Sequence, residues 1–459
     1  MSLPQGVSSD FCLQCRGCCV FGASTGDWCA RLMVEEEIAL EKSVPGFSFG
    51  GYVLTKPYHD GRLACRCLNA DDHRCRVYSQ RPLECRLYPF LLSSEKDKLK
   101  LYVHRACPWV QERRHAPQWL EDIAGVTRFL GLPANHFLLK AVVAAFPDYS
   151  RYGDEIELVA EIPFENNADL LWQRKAELNS WFGRREPVLS SRSFVNAIAW
   201  SDAFDFTVEE ADGNLLLYAR QQGIEFLYCP PLGDQISPRA VEAAFSRMQG
   251  GAARIEAVAL NELTSFDSVR YRAHLQGEEY YYERARVAAL SGNGYRSKRS
   301  DINAFLKKYA PVFRPFLATD RQACLDLFDR WLDNRRTSYE DDIYRAMLVE
   351  NRPVHRRLME HADALGLTGR VVEIDGVIVG YTFGYRLSDD TFCVALEVTL
   401  PELKGLPSYI FREFCADASL GSFKFINAMD DFGMPGVARA KRSWRPSHME
   451  KVYSVCLTP

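Results

Sequence analysis

Ten of the fifteen cysteines of this 459-residue chain fall within its first 107 residues, and four are packed into eight positions as Cys12, Cys15, Cys18 and Cys19. Thiolates two residues apart let one tight turn aim several sulfurs at one ion or cluster, while backbone amides offset part of their charge. More thiols follow at Cys65, Cys67, Cys75, Cys85 and Cys107. A secreted disulfide framework would begin with a leader, and Met-Ser-Leu-Pro-Gln-Gly-Val-Ser has neither a basic nor an apolar region. Scattered core cysteines would not cluster so tightly. The region reads as a metal-binding module. Three cysteines from one loop, with a distant fourth followed by proline as in Cys107-Pro108, are how many 4Fe-4S clusters are held. Such a cluster is favoured as cofactor, with zinc as the alternative.

The rest of the chain is different in texture. Its remaining cysteines, Cys229, Cys324, Cys393, Cys415 and Cys456, stand singly in apolar settings and read as core thiols. A hydrophobic content of 47% with 25% charged residues is that of a globular protein, and no stretch approaches the roughly 18 apolar residues of a membrane span. No integral membrane association and a cytoplasmic location are expected. A formal charge of −4 leaves nucleic-acid binding to local patches.

Helical spacing is visible over 34–42, over 117–130 and again over 137–146, with Gly131-Leu132-Pro133 between the last two. From Ser190 the pattern becomes mixed α/β: strands near 213–219 and 224–228, a helix near 238–248, a helix from Asp320, then two apolar strands turned at Asp375-Gly376. A strand at 392–398, a helix at 407–418 and a strand at 423–427 complete the series. The expected organisation is a Cys-rich metal-binding module over 1–115, a helical extension and linker over 116–184, and two mixed α/β halves over 185–285 and 286–459, an α+β chain overall.

The densest chemistry of the second part lies between Phe425 and Pro446. A strand delivers Asn427 and the pair Asp430-Asp431 to a glycine-bearing loop, and Arg439, Lys441, Arg442 and Arg445 crowd the segment after it. Acids can hold a substrate ammonium, and cations can steady an oxyanion or bind phosphate.

Two resemblances organise these motifs. Residues 12 to 108 resemble the CxxCxxCC, or YkgJ-like, zinc- or iron-chelating family through the opening cluster, Cys65 to Leu68, Cys75-Arg-Val-Tyr78, Arg81-Pro82 and Cys85-Arg-Leu-Tyr-Pro89. This resemblance implies Cys12, Cys15, Cys18, Cys19, Cys65, Cys75, Cys85 and Cys107 as ligands and leaves Cys29 and Cys67 outside the pattern. Residues 185 to 455 resemble the phosphatidylglycerol lysyltransferase C-terminal family through Ser191-Arg192-Ser-Phe194 with Trp200, Pro230-Pro-Leu-Gly233, Lys298-Arg299, Gly376 to Thr382, Glu397, Gly405, Tyr409, Asn427, Asp431, Gly433, Gly436, Lys441, Ser443 and Pro446. That family is built of tandem GNAT-like halves, and its characterised members move an aminoacyl group from aminoacyl-tRNA to an acceptor.

The resemblance implies a soluble acyl- or aminoacyltransferase. Glu397 and Asp431 would orient or deprotonate the acceptor amine, Lys441 with Arg439 would stabilise the oxyanion, and Asn427 would pin the loop or touch substrate. Lys298, Arg299, Gly405 and Tyr409 are the candidate donor-binding positions. The chain departs from the family at Val398, where a lysine is usual, and at Ala438, where an arginine is usual. Lipid-modifying members carry many membrane helices, so a peptide, protein or small-molecule acceptor is expected. Coenzyme A is disfavoured as a donor carrier because the stretch that should clasp its pyrophosphate, Leu403 to Tyr409, has one glycine and a proline that removes an amide donor. Alternatives are an acyl-CoA-dependent N-acyltransferase, a metal- or redox-sensing adaptor with a non-catalytic GNAT-like domain, and a cysteine module that itself acts as catalyst or electron donor.

Overall fold

The computed structural model describes residues 7–15, 17–21, 29–44, 48–49, 52–58, 61–69, 71–95, 98–132, 149–163, 167–221, 224–248, 252–338, 342–431 and 434–458. The expected helix over 137–146 and Gly433 lie outside them. The chain divides into two compact units, Met1–Asn166 with Arg336–Glu350, and Asn167–Arg335 with Asn351–Pro459. Among the described residues no helix is long and apolar enough to cross a membrane.

In the first unit the hairpin Phe90–Glu95 and Lys98–His104 is extended by strand Ile156–Pro163 into a three-stranded antiparallel sheet. Helix Gln118–Leu130 is amphipathic and lays Trp119, Val126, Phe129 and Leu130 on Phe90, Leu92, Leu99 and Leu101. A second small sheet joins Val20–Phe21, Leu63–Cys65 and Thr55–Pro57. A separate apolar cluster, Leu32, Leu40, Val53, Cys67 and Val77, contains one of the thiols and packs against Cys65 and Cys75.

The second unit is built on one eleven-stranded sheet. Its strands in chain order are β1 (Asp205–Ala211), β2 (Asn214–Gln221), β3 (Ile224–Leu227), β4 (Arg254–Ala259), β5 (Tyr271–Glu283), β6 (Val312–Pro315), β7 (Thr368–Ile374), β8 (Val377–Arg386), β9 (Thr391–Thr399), β10 (Phe425–Asn427) and β11 (His448–Leu457). They lie side by side as β6-β7-β8-β9-β10-β5-β11-β4-β3-β2-β1. The β7–β8 turn needs two residues at positive φ, which Asp375 at 50° and Gly376 at 78° supply. The last strand, β11, is antiparallel to both β4 and β5, so the end of the chain closes the sheet between strands of the expected first half.

One irregularity places the site. Strands β9 and β10 run parallel and pair only over Thr391–Cys393 with Phe425–Asn427. Beyond Cys393, β9 continues to Thr399 while β10 ends at Asn427 and hands its other edge to β5 at Tyr281–Glu283. The sheet is split there, and backbone groups that would have paired face an opening instead.

Candidate functional site

A cavity of about 410 Å³ occupies this split. Residues 394–398 of β9 form one wall and Ala428–Asp430 after β10 another, with Lys298 and Lys441 also lining it. Glu397 projects from β9 into this space, where solvent reaches its side chain. Burial pushes its pKa up to about 8, with Lys441 and Lys298 pulling the other way. No hydrogen bond or ion pair holds it among the described residues. A carboxyl in a cleft whose pKa is raised, and which no partner holds among the described residues, is suited to general-base work.

Lys441 lies on helix Pro435–Arg442, and its Nζ donates to the carbonyls of Ala428 (2.6 Å), Met429 (3.2 Å) and Asp430. It therefore clamps the loop after β10, and burial lowers its pKa against the opposing pull of Asp430. Arg439 is two residues earlier, about 200° around the same helix, and stands exposed outside the cavity lining. The cations crowded in sequence are thus distributed around a helix. Arg442 reaches outward to Glu278 at 2.8 Å.

Asn427 is fully buried and does two things at once. Its Oδ1 accepts from Met429 N–H at 2.6 Å, shaping the loop, and its Nδ2 donates to Glu279 Oε2 at 2.6 Å. Glu279 also accepts from Ser190 N–H and from Ser190 Oγ at 2.7 Å, and burial pushes its pKa up to about 7 against these bonds. Asp431 accepts from Tyr280 Oη at 2.6 Å, and Tyr282 Oη donates to the Lys441 carbonyl at 3.0 Å. Strand alternation on β5 sends Glu279 and Tyr281 to one face and Tyr280 and Tyr282 to the other. Sequence reading missed Glu279, Tyr280 and Tyr282; an acid set before three tyrosines in a strand was the available signal. Glu279→Ala would strand the Ser190 and Asn427 donors and is expected to destabilise the unit by about 3 kcal/mol, read as a lower denaturant midpoint.

The other donor-binding candidates separate. Lys298 lines the cavity with Nζ 4.5 Å from the centre of the Trp444 ring, and burial lowers its pKa. Arg299 instead donates Nη1 to the carbonyls of Leu290 and Gly292, closing a helix end. Gly405, at φ 91°, precedes helix Leu406–Ala416; a Cβ there would lie 2.4 Å from the Asp301 carbonyl oxygen. Tyr409 packs on Phe305 with ring centres 5.4 Å apart. These two residues hold helix against helix, while Pro407 and Ser408 at the same helix start line the cavity.

Among the described residues no cysteine of the first unit forms a disulfide. Pairing of Val20–Phe21 with Leu63–Cys65 brings Cys19 beside Cys65, whose N–H donates to the Cys19 carbonyl at 2.8 Å. The bridge between Leu68 and Cys75 gathers Cys67 and Cys75, and helix Leu83–Leu87 presents Cys85. Two sets result. Cys12, Cys15, Cys18, Cys19 and Cys107 are linked electrostatically, as are Cys65, Cys67, Cys75 and Cys85, and Cys18 with Cys85 joins the sets. Cys67 thus belongs beside Cys65, whose pKa it draws down to about 7, while burial raises Cys75, Cys85 and Cys107. Among the described residues no three side chains close around one point at ion-binding distance. The donor chemistry nonetheless fits a thiophilic metal, since thiols this crowded ionise together only around a cation.

The split sheet and the two halves that share it are a tandem GNAT-like fold, and the family matched over this unit is one of transferases. Residues 184–456 match the family model described as phosphatidylglycerol lysyltransferase, C-terminal, and the chain belongs to that family. Residues 11–108 match the CxxCxxCC domain, described as zinc- or iron-chelating. Among solved structures, a conserved Bacteroides thetaiotaomicron protein of unknown function shares the fold at 22% identity and a TM-score of 0.55, over 63% of this chain and 97% of that one. The Bacillus licheniformis protein L-PGS aligns at 14% identity and a TM-score of 0.44, over 61% and 90%. FemX aligns at 9% identity and a TM-score of 0.41, over 60% and 95%. No curated protein matches the chain.

Proposed function

We propose that the second unit transfers an aminoacyl group from aminoacyl-tRNA to an amine or hydroxyl of a peptide, protein or small molecule. The observation that carries this is the placement of Glu397: its carboxyl lines the cavity in the strand split together with Lys298 and Lys441, and no hydrogen bond or ion pair holds it among the described residues. Glu397 takes a proton from the acceptor amine as its nitrogen attacks the ester carbonyl carbon. The new C–N bond forms, the bond from that carbon to the ribose oxygen breaks, and the proton passes to the departing ribose oxygen. Lys441 holds the loop that faces Glu397, and Lys298 supplies positive charge at the cavity wall. Asn427 and Asp431 position the loop through Glu279 and Tyr280.

The matched family description, phosphatidylglycerol lysyltransferase, C-terminal, names an aminoacyl transfer, which supports the donor class. The cofactor proposed for the first unit is an iron–sulfur cluster held by Cys12 and Cys15 of helix Ser9–Cys15, by Cys18 in the turn after it, and by Cys107 before a proline, a spacing that suits a cubane. When bound it would supply cross-linking of distant segments and a redox-active centre. Cys65, Cys67, Cys75 and Cys85 are the second thiolate set.

Purified wild-type protein is expected to release labelled amino acid from charged tRNA in the presence of amine acceptors. Consumption of acyl-CoA with no turnover of charged tRNA would overturn the donor assignment. Anaerobic purification is expected to yield brown protein containing iron and sulfide; a colourless zinc protein would overturn the cluster.

A further inference from the structure

The wall of the cavity away from the strand split differs from the wall that carries Glu397. It is made by Trp200, by Phe328 and Trp331 on helix Arg321–Ser338, and by Val354 and Leu358 within 351–360. None of the lining residues from these segments is acidic. Their single titratable lining side chain, His355, is buried with Nδ1 2.7 Å from Tyr381 Oη, and burial pushes its pKa down to about 3, so that it stays neutral. The acids lining the cavity, Glu397 and Asp430, both belong to the strand split. A side-chain ammonium lodged against the aromatic wall would have no counter-charge there, whereas an apolar group would bury surface at no electrostatic cost.

We propose that the acyl group delivered to Glu397 carries an apolar side chain, branched aliphatic or aromatic, and that the aromatic wall selects it over a lysyl group. The proposal rests on the aminoacyl-tRNA reading of the same cavity. It makes Phe328, Trp331 and Leu358 specificity determinants, with no part in the proton transfer.

Stable amide conjugates of 3′-amino-adenosine with phenylalanine, leucine or lysine test it by calorimetric titration of the full chain. The phenylalanyl or leucyl conjugate is expected to bind at least tenfold more tightly than the lysyl one. Leu358→Asp is expected to reverse that order; because Leu358 is buried and this variant can misfold, the wild-type ranking decides by itself. Equal binding, or preference for the lysyl conjugate, overturns the proposal and leaves the tRNA reading standing. Failure of all three conjugates, with binding of an apolar acyl-CoA instead, overturns the tRNA reading and this proposal with it.

Discussion

Glu397→Gln is expected to lower transfer by about 10²- to 10⁴-fold, the usual worth of a positioned general base, while the protein remains folded. The amide keeps the shape of the side chain and breaks no hydrogen bond or ion pair among the described residues, so a lost rate reports lost basicity. The pH dependence carries the sign. A carboxyl whose pKa is pushed up to about 8 is mostly protonated at neutral pH and becomes a base as pH rises. Wild-type kcat/KM should therefore climb and level off above about pH 8, and the climb should vanish in the variant. Stability moves the other way: the folded state holds this proton more tightly than the unfolded chain, so ionisation costs stability as pH rises through 8. Above that pH the glutamine variant should melt at an equal or higher temperature. Full activity with an unchanged pH profile in Glu397→Gln would remove Glu397 from the mechanism.

The parts of this site that were legible in sequence are those whose local chemistry dictates local geometry. The Asp375-Gly376 turn was readable because positive φ at two successive positions favours those residues. The cysteine module was readable because thiols crowded at short sequence spacing are a recognisable pattern by themselves. Strand β11 was not, because His448 to Lys451 alternate no apolar face; the strand exists because β4 and β5 flank it on both edges. Residues 272–276 of β5 are exposed at every position and give no strand pattern either. Linear crowding also misled the pairing of Lys441 with Arg439, since helical rotation carries one into the cavity and the other to solvent. Glu279 was hidden for a related reason: its partners, Ser190 and Asn427, are 89 and 148 residues away.

Removing the metal from the first unit should produce the largest change in stability. Its cysteine-bearing part divides between a small apolar cluster of Leu32, Leu40, Val53, Cys67 and Val77 and the edge of the larger core, which takes in Cys12, Leu83, Leu87 and Cys107, so loss of the thiolate site loosens both. Structural thiolate sites contribute apparent free energies of about 10 kcal/mol or more, which is comparable to the whole stability of a domain. Cys12→Ser and Cys85→Ser, one from each thiol set, are each expected to lower bound metal and to abolish cooperative melting of the first unit. The second unit, with its own sheet and its own core, should keep its transition. Scanning calorimetry with metal analysis separates these outcomes. The two sets also make a finer distinction: if they hold separate centres, Cys12→Ser and Cys85→Ser should each remove part of the metal, and the double variant should remove all of it. If they share one centre through Cys18 and Cys85, each single variant should already release everything. Metal-free protein that retains both melting transitions unchanged would show that the thiols do not hold the fold.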